Sequence, residues 1–363
     1  MQECIGGIME LEKSSLVNED MNHYCTYFDH HYLARGLALY RSLRRHSPSF
    51  RLWVLCLDSL AYRLLSQLAL PNLILLPLED LERGDPALLA AKRNRKLLEY
   101  YFTCTPLLPL FILDRHHDVP MITYLDADLF FFSDPAPIYE EIGEFSIAII
   151  GHRFPEHLRH LEIHGVYNVG WLSFRRSAEA FLCLQRWREQ CIQWCTRRPE
   201  NDRYADQKYL DEWPTLYKGL VVLRHKGANL APWNLANYNI EWDEDRVWVD
   251  AQPLIFYHFH GLHPLQNWFY DSEMDRYSLK PSWRVMRRIY LPYIQSLKRE
   301  TRSVSNMIKS TGIMEGKDIH HLLAASFRSV LGTRTRNPLR RALHMGKGML
   351  TRKYLFVVGN CIL

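Results

Sequence analysis

The sequence predicts an α/β protein built on a mainly parallel sheet with helices on both faces. Three observations carry that reading. Between residues 22 and 132, apolar runs of strand length alternate four times with stretches of helical length. The second to fourth runs are apolar throughout rather than at every other position, as strands buried on both faces are. Asp29, Asp58 and Asp126 stand at or just past the ends of three runs, the edge at which such sheets bind ligands.

The elements follow in order. "HYCTYF" reads as the first strand, over 23–28. "HHYLARGLALYRSLRRHS" places Leu33, Leu37, Tyr40 and Leu43 at helical spacing and ends in basic residues followed by Pro48. "FRLWVLCLD" is a second strand, "LAYRLLSQLAL" a helix and "NLILLPL" a third strand. "PALLAAKRNRKLLEYYFTCTPLLPLFIL" is helical with a proline interruption, and "MITYLDADLFFF" is a fourth strand. Further on, "FSIAIIG", "YNVGWLSF", "GLVVLRH" and "QPLIFYHFHG" read as strands, "SAEAFLCLQRWREQCIQWCTR" as an amphipathic helix and "DQKYLDEW" as a short one. "SWRVMRRIYLPYIQSLKRE" and "DIHHLLAASFRSVL" read as helices outside the sheet. The division is a leader over 1–21, one α/β domain over 22–275 and a helical, basic extension over 276–363.

The 363 residues suffice for one large domain. The eight cysteines form no C-x-x-C pair, and three lie in apolar runs where cysteine behaves as a small hydrophobe, so a reduced, cytoplasmic protein is expected. The N-terminus has no signal-peptide pattern, and no apolar run reaches the roughly 18 residues needed to span a bilayer. The net charge is +5, but it is uneven. Beyond Asp318 there is no acidic residue, while Arg328, Arg334, Arg336, Arg340, Arg341, Lys347, Arg352 and Lys353 are all basic. Interleaved with apolar residues, this tail suggests peripheral contact of residues 320–363 with an anionic membrane surface, on the inner face. It carries no aromatic-basic motif of a nucleic-acid binder.

Two constellations carry chemistry. In "YLDADLFFF", Asp126 and Asp128 end an apolar run, and Asp-x-Asp brings both carboxylates to one divalent ion where the strand gives way to a turn. Such oxygens suit Mg²⁺ or Mn²⁺. In "FYHFHGLHP", His258, His260 and His263 cluster at the end of a late strand, with 258 and 260 on the same face of an extended segment. Imidazole is a fitting further ligand for Mn²⁺.

In order, "CTYFDHHYLARGLALYRSL" with "FRLWVLCLD", then "YLDADLFF", "YNVGWLSF", "ADQKYLDEW" and "HFHGLHP" resemble the nucleotide-sugar glycosyltransferases of the GT-A fold. The resemblance is to the family-8 type, which includes glycogenin and bacterial lipopolysaccharide galactosyltransferases, and it covers roughly residues 22–270. It implies a Rossmann-like fold and transfer of a hexose, with retention, from a UDP-sugar to a glycan or lipid-linked acceptor. By the same resemblance Asp126, Asp128 and His258 would hold the ion, with Asp126 also near the donor. Tyr27 and Asp29 would contact the uracil, and Asn168 and Gly170 would line the sugar or acceptor side. Asp206 and Gln207 would sit at the anomeric carbon, either of them as nucleophile or as electrostatic support. Gly261 would admit the pyrophosphate, and His263 stands in for that family's lysine there. Elementary chemistry agrees: breaking a sugar–phosphate bond puts charge on the leaving diphosphate, which a metal and fixed donors stabilise, while a carboxylate or amide supports the oxocarbenium-like sugar.

The chain departs from the family at His263, at Leu265, and on the helix before the Asp-x-Asp strand, where Thr103 stands and Arg95 and Lys96 come earlier. These departures keep a non-catalytic nucleotide-sugar-binding protein as the alternative. A phosphohydrolase of the haloacid-dehalogenase type also ends an apolar strand in Asp-x-Asp, but it wants Thr or Val where Phe130 stands.

Overall fold

A computed structural model of the protein describes residues 21–266, 268–311, 353–359 and 361–362. The strands of its main sheet are β1 (Asn22–Phe28), β2 (Phe50–Cys56), β3 (Leu73–Pro77), β4 (Met121–Leu125), β6 (Ile147–Gly151), β7 (Tyr167–Arg175) and β8 (Leu220–Leu223). They lie in the order β3–β2–β1–β4–β7–β6–β8. β7 runs antiparallel to both its neighbours, and every other pairing is parallel. The expected α/β class with a mainly parallel sheet is what the chain adopts.

Burial on two sides explains the all-apolar β2 and β4, whereas β3, at the sheet edge, is half-buried along its length. Tyr24, Leu52, Val54 and Cys56 enter one core, while Cys25, Trp53 and Leu55 enter the core on the other face. Helix α1 (Leu33–His46) covers the first core. Its Leu33, Leu37, Tyr40 and Leu43 are all buried, and truncating one such leucine costs about 2–5 kcal/mol. Gly36 lets that helix sit down on the sheet, because a Cβ there would lie 2.1 Å from the Phe28 ring.

Between β2 and β4 come α2 (Ser59–Leu68), α3 (Leu78–Arg83), α4 (Pro86–Lys92) and α5 (Leu97–Arg115). The proline interruption expected in this stretch is absent. Helix α5 runs over Pro106 and Pro109, and the break falls earlier, at residues 93–96. Each proline removes one helical N–H, but both prolines and Leu107, Leu108, Ile112 and Leu113 are buried, so packing outweighs the loss.

The fourth strand also differs from the expectation. "MITYLDADLFFF" is two strands. β4 stops at Leu125, a turn closed by Leu129 N–H on Asp126 O (3.2 Å) follows, and β5 (Leu129–Phe131) leaves the main sheet. β5 pairs antiparallel with β12 (Phe256–His258), setting His258 opposite Leu129. That register brings His258 beside Asp128.

Helices α6 (Ala136–Ile142) and α7 (Ala178–Gln193) flank β6 and β7, and β9 (Ile240–Trp242), β10 (Val247–Val249) and β11 (Gln252–Pro253) make a small antiparallel sheet. Helix α8 (Leu291–Thr311) is not apart from the sheet: Val304 and Ile308 enter the core that holds Leu37. The last described residues are strands rather than helix. β13 (His263–Gln266), β14 (Phe269–Asp271), β15 (Tyr354–Val358) and β16 (Cys361–Ile362) form one sheet in that order. The leader over 1–20 and most of the basic tail, residues 312–352, lie outside the described residues, as does the expected membrane contact except for its last strands. Among the described residues no helix is long and apolar enough to cross a membrane.

Candidate active site

The ends of β1, β4, β7 and β12 open on a cavity of about 500 Å³, the size of a small-molecule site. Tyr27, Asp29, Asp126, Asp128, Asn168, Asp206, Gln207 and His258 all line it. Residues from five separate segments of the sequence analysis therefore meet in one cavity.

The Asp-x-Asp turn and the end of β12 form the metal-type cluster. His258 Nε2 lies 3.1 Å from Asp128 Oδ1 and 3.6 Å from Asp126 Oδ2. Ligand atoms of Asp128, His258 and His260 all fall within 4.8 Å of one another. His260 thus joins the expected trio. It lines the cavity with its ring edge-on to Trp233 (5.7 Å), which also meets His258 edge-on (5.1 Å). Two carboxylates and two imidazoles fit a borderline ion such as Mn²⁺ well and fit Mg²⁺ less well.

Behind this cluster, Asn168 on β7 orients His258. The Asn168 Oδ1 is 3.2 Å from His258 Nδ1 and also accepts from Gly170 N (3.0 Å). An Nδ1–H held this way aims Nε2 at the carboxylates. Gly170 is required by the same closeness, since a Cβ there would lie 2.5 Å from Asn168 Oδ1 and 2.9 Å from His258 Nδ1. Burial works against charge on His258, but the Asp128 carboxylate beside it wins and raises its pKa. Burial would likewise raise Asp128, and His258 instead holds it below the usual carboxylate range. Asp126 goes the other way, pushed up by burial, with the Asp128 charge adding to it, although Tyr124 Oη donates to it at 3.0 Å.

The second group is centred on Asp206. Ala205, before it, sits in the left-handed region (φ +47), a conformation that costs a non-glycine residue about 1 kcal/mol or more and helps turn the next side chain inward. Asp206 Oδ2 accepts from Thr105 Oγ1 on α5 at 2.6 Å, and Thr105 Oγ1 lies 3.0 Å from Tyr27 Oη. No cation stands by it among the described ion pairs. Burial, with Asp126 adding to it, pushes the Asp206 pKa up to about 7 against the Thr105 hydrogen bond. Gln207 is tied at both ends. Its Oε1 accepts from Asn168 Nδ2 (3.2 Å) and weakly from Val169 N (3.4 Å), and its Nε2 donates to His164 O (3.0 Å).

At the β1 end, Asp29 Oδ1 accepts from the backbone N–H of His31 (3.0 Å) and Tyr32 (3.3 Å) and so caps the turn that presents Tyr32 to the cavity. Gly261 and His263 do not line the cavity. Gly261 takes φ +79, which explains the glycine by backbone conformation. His263 Nδ1 is 2.7 Å from Gly261 O, and its Nε2 is buried without a partner among the described residues. Arg95 is spent on structure: it donates to Thr103 Oγ1 (2.7 Å) and to the carbonyls of Cys191 (2.5 Å) and Ile192 at the end of α7. Cations that do reach the cavity are Arg197 and Arg276. Thr105, His152, Arg197, Trp233 and Tyr277 were not legible as site residues.

No family profile matches the chain. It is 35% identical over 286 residues to the uncharacterized protein YfnD of Bacillus subtilis (strain 168), spanning 76% of this chain and 89% of that one. To the uncharacterized protein YfnF of the same organism it is 32% identical over 246 residues, spanning 66% and 80%. Among solved structures it is similar to mouse xyloside xylosyltransferase 1 in its apo form, with TM-score 0.45, 15% identity and coverage of 66% and 98%. It is also similar to the galactosyltransferase LgtC in complex with donor and acceptor sugar analogs, with TM-score 0.44, 17% identity and coverage of 73% and 99%.

Proposed function

The chain belongs to the family of the Bacillus subtilis proteins YfnD and YfnF, and we propose that it is a metal-dependent glycosyltransferase moving a hexose from UDP to a glycan or lipid-linked acceptor, with retention. The observation that carries this reading is the convergence in one cavity of the Asp126, Asp128, His258 and His260 cluster with a separate buried carboxyl, Asp206. A diphosphate needs the first and a sugar losing it needs the second.

Asp126 and Asp128 with His258 and His260 would hold Mn²⁺ or Mg²⁺. When bound, the ion supplies Lewis-acid relief of the charge that develops on the departing diphosphate. Asn168 keeps His258 turned toward the carboxylates. Tyr32, which lines the cavity and whose ring meets the Arg35 guanidinium, would offer a stacking surface for the base, worth about 1–3 kcal/mol. Asp29 and Tyr27 border that end. Asp206, once ionised, supports the oxocarbenium-like sugar. Gln207, with both amide ends engaged, fixes the position of the neighbouring backbone and of Asn168. The last strands of the chain belong to the folded body, so membrane contact through residues 320–363 rests on the basic stretch before them.

The test is release of UDP from a panel of UDP-hexoses with Mn²⁺, with and without sugar acceptors. Turnover that disappears in Asp128→Ala supports the reading. Tight UDP-sugar binding with no turnover on any donor or acceptor would instead favour a non-catalytic binding protein.

A further inference from the structure

Helix α5 carries one face from the Asp206 carboxyl out to the mouth of the cavity. Thr105, whose hydroxyl donates to Asp206, stands two turns beyond Leu98, with Tyr101 and Phe102 between them, so all four share a side of the helix. Leu98, Tyr101 and Phe102 line the cavity. This stripe runs about 10 Å along the helix axis, enough for a hexose and a phosphate. At its outer end the apolar surface reaches solvent, with Leu98 40% exposed and Leu97 62% exposed. The facing wall is the loop after α7, closed at its base by Ala205 N–H on Thr196 O (2.8 Å), so Arg197 and Asp206 come from adjoining backbone. Glu99 Oε1 accepts the Arg197 backbone N–H (3.2 Å) and so sets Arg197 level with the outer end of the stripe. Arg197 lines the cavity, and its guanidinium has no hydrogen bond or ion pair among the described residues. The other oxygen of Glu99 accepts from the Lys96 backbone N–H (3.1 Å), and this one carboxylate feels both Lys96 and Arg197, so positive charge is in surplus here. Arg276, the other arginine of the cavity, is paired with Glu273 at 2.8 Å.

We propose that the acceptor is a sugar carried on a lipid phosphate, with its sugar between Asp206 and the Tyr101 and Phe102 rings, its phosphate at Arg197 and its lipid along Leu98 and Leu97. The proposal deepens the transferase reading given above and rests on it. The order of groups along the wall decides between acceptor classes. Next to the carboxyl come two aromatic side chains, whose apolar bodies suit the face of a sugar ring. A guanidinium follows, and its planar fork suits phosphate oxygens. Beyond it the wall is aliphatic out to the surface. A single exposed leucine carries no message. Two in succession that continue a cavity wall beside an unpaired cation match an amphiphile with its charge set between sugar and tail. Each methylene laid on those leucines leaves water and adds to affinity. A free acidic glycan would use Arg197 and leave Leu97 and Leu98 idle.

The experiment is calorimetry on the full chain, first with UDP and Mn²⁺, then with both saturating and one of three probes added below its micelle concentration. The probes are decyl phosphate, decyl β-glucoside and glucose 1-phosphate. Decyl phosphate is expected to bind about tenfold tighter than either of the others, since it alone meets both the cation and the leucines. Arg197→Gln should weaken decyl phosphate about tenfold and leave decyl glucoside within about twofold. Leu97→Ser combined with Leu98→Ser should weaken both decyl probes several-fold and leave glucose 1-phosphate unchanged. All three side chains are exposed, so these variants keep the fold. Equal affinity for decyl phosphate in Arg197→Gln overturns the proposal. Glucose 1-phosphate that binds as tightly as decyl phosphate overturns it too and marks a free acidic glycan instead. Decyl phosphate that binds only when UDP is absent overturns it by placing the probe at the donor's end. An unaltered protein that binds no UDP would sink the donor reading itself, an outcome distinct from UDP binding followed by probes that ignore Arg197.

Discussion

Asp206 makes stability depend on pH in a direction opposite to most carboxylates. Its pKa stands at about 7 in the folded chain against 3.8 for the free side chain, through burial and the nearby Asp126. The folded state therefore holds this proton more tightly than the unfolded state. The contribution is fully present below pH 3.8, declines as the pH climbs, and is gone once it passes about 7. A difference of about 3 units corresponds to roughly 4 kcal/mol. Asp206→Asn keeps the shape and an oxygen for Thr105 but has no proton to lose. The assay is urea unfolding of both proteins in EDTA, from pH 4.5 to 8. Because other groups titrate in both, the readout is the stability difference between them. The variant should gain on the unaltered protein by about 3–4 kcal/mol across the range, almost all of it before pH 8. In a chain of this length that is on the order of ten degrees in thermal midpoint. A difference that stays flat with pH would refute the claim that this carboxyl is buried without a charge partner.

Three further outcomes are expected. Gly170→Ala drives a methyl into Asn168 and His258, both buried, so stability should fall by about 1–3 kcal/mol and Mn²⁺ affinity by ten- to a hundredfold, read by thermal melting and by Mn²⁺ electron paramagnetic resonance. His260→Ala should weaken Mn²⁺ binding about tenfold in the same resonance assay, less than Asp128→Ala, and an unchanged affinity would remove His260 from the ligand set. Deleting residues 353–363 exposes the partners of Leu355, Val357 and Ile362, each buried side chain worth about 1.5–3 kcal/mol, so the thermal midpoint should drop by several degrees or more.

The parts of this structure that were legible in sequence are those governed by local pattern. Continuous apolar runs identified β2 to β4 as strands of a covered sheet, and the acidic residues at strand ends located the ligand edge. The break between β4 and β5 was not legible, because "DLFFF" continues the apolar run and its true partner, β12, lies more than a hundred residues onward. Pairing at that distance leaves no trace in a local window. Thr105 was invisible for another reason: a threonine in the apolar "TCTPLLPL" reads as helix packing, and only the fold brings Asp206 against it. The apolar residues of the tail suggested a surface-bound segment, whereas those from Tyr354 onward fill a sheet edge left open by β14.

The same connectedness bears on how Asp206 and Gln207 divide their work. The two are adjacent in sequence, yet their side chains belong to different networks. Asp206 connects through Thr105 to Tyr27, at the β1 end of the cavity. Gln207 connects through Asn168 to His258 and hence to the metal cluster. Removing the Gln207 amide frees the Asn168 side chain, and a freed Asn168 no longer holds Nδ1 of His258. Lost activity at Gln207 would then arise at the metal wall as readily as at the sugar. Asp206 reaches the cluster through its charge and, beyond Thr105 and Tyr27, through Tyr124, which donates to Asp126; an asparagine removes the charge without disturbing the Thr105 contact. The carboxyl is thus the residue whose substitution reports on the sugar, and the amide the one whose substitution reports on how His258 is held.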